Sequence, residues 1–126
     1  LVDLIYDRLL EWPESARLFQ GQDMGLRRLT LIQYLTRLVE GRYGSDYAVR
    51  HTEVGRKHLE VEVPLEYLIA TYGWVRSLLP SLVLEHLKDQ PERAADVLSA
   101  FNKALDYDLC LLAAGYSRSR SSVASQ

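Results

Sequence analysis

Apolar residues recur at intervals of three and four along most of the chain, and the one alternating run, Leu59 to Val63, is short and closed by Pro64. Val2, Ile5, Tyr6 and Leu9 predict an amphipathic helix over residues 1–12, ended at Trp12-Pro13 because proline disfavours the α conformation in the residue before it. A short helical turn from Glu14 to Phe19 follows, with Pro13 suited to the first position. Gln20 to Asp23 reads as a loop ending in a cap, and Gly41 stops the next helix, Met24 to Glu40. Met24, Leu31, Tyr34, Leu35 and Leu38 share one face of that helix while Leu26 and Leu29 lie nearly opposite, so it should cover two things, a second helix and a ligand.

Ser45 or Asp46 is expected to cap a helix running through His51 and His58 to about Leu59. Pro64 then opens a long helix to about Lys88, which Pro80 should divide into two collinear pieces by removing a backbone hydrogen bond. Asp89-Gln90-Pro91 caps a last helix to about Tyr116. Its stripe of Ala94, Leu98, Phe101, Leu105, Leu109, Leu112 and Tyr116 is widened by Ala95, Ala100, Leu111 and Ala113, more than one face can bury in so small a core. A homodimer through the last two long helices is therefore expected. The pattern predicts an all-α domain over residues 1–116 and a serine-rich flexible tail or linker over residues 117–126.

At 126 residues, 48% apolar and 25% charged, the chain is one ordinary folded domain. A net charge of −2 provides no basic stripe for nucleic acid, and no apolar run approaches the roughly 20 residues that span a bilayer. Without a signal-peptide pattern the expected compartment is cytoplasmic. Cys110 stands alone among leucines, which excludes a disulfide framework or thiolate zinc site and predicts a small buried residue. No phosphate loop or nucleophile elbow occurs, and the acidic residues sit on faces that read as solvated, so catalysis by side chains has little support.

Three histidines remain. His51 and His58 share a helix face but stand about 10 Å apart along the axis, too far to hold one metal ion together. His86 falls in the last turn of its helix, where a cation suits the dipole. A helical domain with one histidine before a proline-closed elbow suits haem, which needs a proximal ligand and an apolar slot between two helices.

Val54 to Pro64, followed by Tyr67 and Tyr72-Gly73-Trp74, resembles the proximal-histidine signature of globin-coupled sensors: a histidine, an Ile-Gly-Ile-like elbow, a proline and an aromatic-containing helix. Ile5 to Leu10 before Trp12-Pro13-Glu14 resembles that family's distal-tyrosine helix, with Tyr6 seven residues before Pro13. The likeness covers roughly residues 1–116. Two departures stand out: Glu62 occupies the elbow position where glycine is common, and the family's helical segment ahead of the distal-tyrosine helix is missing.

The resemblance implies a globin-like helical sandwich truncated at its N-terminus, binding haem b with His58 as iron ligand. Tyr6 would donate to bound oxygen, with CO and NO as other ligands. Tyr67 resembles a tyrosine near the proximal histidine, a backbone carbonyl being the rival partner for that ring's N–H. Val54, Val61 and Val63 would line the proximal side and Leu31 the distal wall. Arg42, Arg50 and Arg56 are candidate propionate partners whose default is a solvated face, and His51 is left at the rim or surface. The implied function is a haem-based oxygen sensor, not itself an enzyme, controlling a C-terminal output module through the dimer interface. That module is commonly a diguanylate cyclase and lies outside these residues. The alternatives are a haem-free globin-like regulatory dimerisation module and a stand-alone oxygen-binding haem protein.

Overall fold

The computed structural model describes residues 1–124. Six α-helices follow one another: α1 (Val2–Glu11), α2 (Pro13–Ala16), α3 (Met24–Glu40), α4 (Ser45–Glu60), α5 (Leu65–His86) and α6 (Pro91–Ala124), with a 3-10 turn, Arg17–Phe19, after α2. No strand occurs among the described residues. The punctuation acts as its chemistry requires. Trp12 is extended before Pro13, and Ser15 braces that corner by donating to the carbonyls of Leu9 (2.5 Å) and Trp12 (3.2 Å). Asp23 caps α3 by accepting from the Leu26 N–H, and Gly41 ends it in the left-handed conformation (φ 76°).

Ile5, Leu38, Val75, Leu79, Ala104 and Leu105 form the core, so α1, α3, α5 and α6 converge on one apolar centre. Leu31, Leu35, Tyr72, Leu98 and Phe101 pack around it half-buried. The second apolar face of α3, carrying Leu26, Leu29, Ile32 and Val39, is exposed.

α4 lies against α6 at backbone contact. A β-carbon added to Gly55 would fall 2.2 Å from the Leu112 carbonyl oxygen, and one added to Gly115 would fall 2.2 Å from the Thr52 carbonyl oxygen. Only glycine at both places permits the crossing.

Five expectations are corrected. Pro80 does not split α5, which runs unbroken; one lost hydrogen bond is tolerated because Leu79 and Val83 beside it are buried. Pro64 precedes α5 instead of opening it, and α4 starts after Gly44 with no side-chain cap. α6 continues past Tyr116 to Ala124, since neither glycine nor proline interrupts residues 117–124; Ser125 and Gln126 of the expected tail lie outside the described residues. Cys110 is exposed, because α6 turns Asp108 and Leu112 inward and leaves position 110 on the outer side.

Candidate functional site

The last turn of α4 carries His58, half-buried, with Nδ1 2.7 Å from the carbonyl oxygen of Val54 one turn earlier. That contact makes Nδ1–H the donor and leaves the Nε2 lone pair available to a metal. The ring's partner is therefore the backbone carbonyl and not Tyr67, which lines a cavity of about 750 Å³ between α1, α2 and α5 with Ile5, Leu9 and Trp74; His58 is not among its walls.

Beyond His58 the chain folds back on itself. The N–H of Val63 donates to the His58 carbonyl (3.0 Å) and that of Glu62 to the Leu59 carbonyl (3.0 Å). Buried Tyr116 of α6 donates its O–H to the Val63 carbonyl (2.5 Å), clamping the elbow to α6. Glu62 adopts φ 63°, the left-handed conformation that glycine takes without a β-carbon clash. Glu62→Gly is accordingly expected to raise stability by about 1 kcal/mol, read as a higher urea midpoint at unchanged slope. Val63 is half-buried, whereas Val61 is 63% exposed and touches open space at the elbow.

Tyr6 is buried in α1, and its O–H donates to the Arg27 carbonyl of α3 (2.9 Å). Phe19 meets its ring edge-on at 5.6 Å and the Arg28 guanidinium lies 5.7 Å over it. Burial raises the phenol pKa against the opposing pull of Arg27 and Arg28, so the O–H persists as a donor. Leu31 sits one turn further along α3, packed on the core. Arg56 is engaged on its own helix with Glu53 (2.6 Å) and Glu60 (3.0 Å), and Arg42 and Arg50 are exposed, the solvated role expected of them.

Sequence reasoning missed a buried polar cluster. His51 and Asp108 are both 0% exposed, not rim or solvated residues. The two Asp108 oxygens accept from Tyr47 of α4 and Tyr34 of α3, and Tyr34 shares a second hydrogen bond with Tyr72 of α5 (2.5 Å). His51 is stacked on Tyr47 at 3.8 Å, with Nδ1 3.1 Å from Asp108 but off-line for a full hydrogen bond, and Nε2 makes none. The available signal was a lone aspartate between Ala104, Leu105 and Leu112 on the apolar stripe of α6.

Burial lowers the His51 pKa from its ordinary 6.5, helped by Arg37 and Arg50 and opposed by Asp108, while burial, then neighbouring oxygens, raise the phenols of Tyr34, Tyr47 and Tyr72. A depressed histidine pKa means that the unfolded chain takes up the proton first. Stability is then present above pH 6.5 and lost as pH falls toward the folded value. Melting temperature should drop as pH falls below His51's ordinary 6.5, and His51→Phe, which keeps the stacked ring, should flatten that slope.

The helical scaffold that carries the buried Tyr6 phenol and the half-buried His58 ring has known relatives. The protoglobin family model matches residues 1–122. The chain belongs to the protoglobin family. Among solved structures, it is similar to the globin domain of the Geobacter sulfurreducens globin-coupled sensor, with 25% identity, a TM-score of 0.83 and coverage of 91% of this chain and 76% of that chain. No curated protein matches the sequence. The expected all-α globin-like fold and the likeness to globin-coupled sensors are thus both borne out.

Within this protoglobin domain no helix among the described residues is long and apolar enough to cross a membrane. No cluster of three or more metal-ligating side chains occurs among them either. A metal bound here would rely on few protein ligands, as haem iron does.

Proposed function

We propose that this protoglobin domain is a haem-based gas sensor, with oxygen as the ligand and haem b as the cofactor. The observation that carries the reading is the His58–Val54 contact: it fixes the tautomer whose Nε2 lone pair an iron ligand needs. When bound, haem supplies an iron that takes up a diatomic gas. His58 would hold that iron, Val54, Val61 and Val63 would give the proximal side its apolar surface, Leu31 would form the distal wall and Tyr67 would lie on the α5 side. The exposure of Val61 suits a residue whose partner is a cofactor.

Tyr6 serves as the distal donor. Its O–H exchanges the Arg27 carbonyl for the gas, a swap of one hydrogen bond for another. With haem bound, that donor would favour oxygen, the more polar of the two ligands once bound, over carbon monoxide. Tyr6→Phe is expected to speed oxygen dissociation roughly tenfold and leave CO release nearly unchanged, measured by stopped-flow and flash photolysis. Equal effects on the two gases would remove Tyr6 from this role.

The signal passes to a C-terminal output module, a diguanylate cyclase in this reading, through a homodimer of α5 and α6. Ile69 and Leu84 of α5 and Tyr107 of α6, all exposed in the single chain, support such an interface. The likeness to a domain described as part of a globin-coupled sensor supports the sensing role. Titration with haemin tests the proposal: a Soret band saturating at one haem per chain is expected, and failure to bind would refute it.

A further inference from the structure

The cluster around Asp108 has no part in the proposed chemistry, yet its carboxylate joins α6 to α3 and α4 directly and to α5 through Tyr34 and Tyr72. A buried carboxylate costs stability unless every lone pair is met, and a leucine at position 108 would pack the same stripe without that penalty. A charge kept there is therefore best explained by the geometry it specifies.

That geometry bears on the proximal helix. Tyr47, His51 and Gly55 form the buried face of α4, and His58 lies on the face of His51, about 10 Å further along the axis. α4 is held to α6 at successive points: Tyr47 and His51 at Asp108, Gly55 at Leu112, and the elbow carbonyl of Val63 at Tyr116. The same carboxylate takes Tyr34 of α3, whose ring lies 4.6 Å from His51 of α4. Of these holding points Asp108 alone joins α4 to α3 as well as to α6.

We propose that Asp108 is a positioning residue for the proximal helix: by accepting from Tyr47 and Tyr34 at once, it fixes the distance between α4 and α3 and the register of α4 on α6, and so the pose of His58. Its consequence for the iron rests on the gas-sensor reading; its consequence for α4 does not. Coupling runs through packed and hydrogen-bonded neighbours, from Asp108 to His51 and along a rigid helix to His58.

Two measurements on Asp108→Asn and on the milder Tyr47→Phe test this. In the protein without haem, amide hydrogen exchange across residues 51–60 is expected to rise about tenfold relative to α1 and α5. Exchange that is unchanged, or raised equally in every helix, would overturn the proposal by reducing Asp108 to general stability. In the ferrous haem-loaded protein, the iron–histidine stretching band should shift and broaden in both variants; a lowered melting temperature with an unmoved band would likewise overturn it. If wild-type protein takes up no haem, the sensor reading fails by itself and the exchange measurement alone decides the role of Asp108. Should Asp108→Asn not fold, Tyr47→Phe, which removes one hydroxyl, carries both readouts.

Discussion

Gly115→Ala is expected to destabilise the protein by about 3 kcal/mol, a large share of the roughly 5–15 kcal/mol that holds a domain of this kind together. The new β-carbon would fall 2.2 Å from the Thr52 carbonyl oxygen and 2.7 Å from the Arg56 amide nitrogen. Both are backbone atoms of a helix interior, so no side-chain rotation relieves the clash. α4 and α6 must separate along their whole crossing, losing packing on both sides of it. Gly55→Ala, meeting the Leu112 carbonyl at 2.2 Å, should behave alike. Gly73 provides the control: it lies within α5 with nothing within 4 Å of an added β-carbon, so Gly73→Ala should be neutral or stabilising by up to about 1 kcal/mol. Thermal unfolding of the three variants checks this, with a fall of roughly 10 °C for the crossing glycines. A melting temperature for Gly115→Ala within a degree or so of wild type would mean that the helices do not touch there.

The close crossing also explains what the sequence could and could not reveal. Helix number, order and most boundaries follow from local rules: apolar period, Pro13, Asp23 and Gly41 each act within a few residues of themselves. The elbow after His58 was legible because it is local too, and Glu62 stood out at the position that proves to be left-handed. Tertiary pairing was not legible. The two glycines looked like ordinary helix residues because their reason lies on a helix some sixty positions away. Asp108 and His51 read as solvated or marginal because burial of a polar group depends on partners brought by α3, α4 and α5 together. Pro80 reads as a break when only its lost hydrogen bond is weighed, but buried neighbours hold α5 continuous. Cys110 erred the other way: leucines adjacent in sequence are not adjacent in facing, since successive residues of a helix turn by about 100°.

Loss of His58, the proposed iron ligand, is the second large effect expected. His58 is the one histidine that is half-buried, placed at a helix end beside an open elbow and oriented through Nδ1. His51 is sealed in the interior beside Asp108, and exposed His86 points its Nδ1 at the Leu82 carbonyl at the far end of α5. Neither can substitute, because each is fixed on a different part of the scaffold. With His58 as the proposed iron ligand, removing its imidazole would deprive a bound haem of that bond while leaving the fold intact, since His58 makes no long-range hydrogen bond. The direct measurement is the absorption spectrum of purified wild type and His58→Ala titrated with haemin. A strong Soret band is expected in wild type that the variant loses, or regains only when free imidazole is added; an unchanged band in His58→Ala would contradict the assignment of His58 as iron ligand.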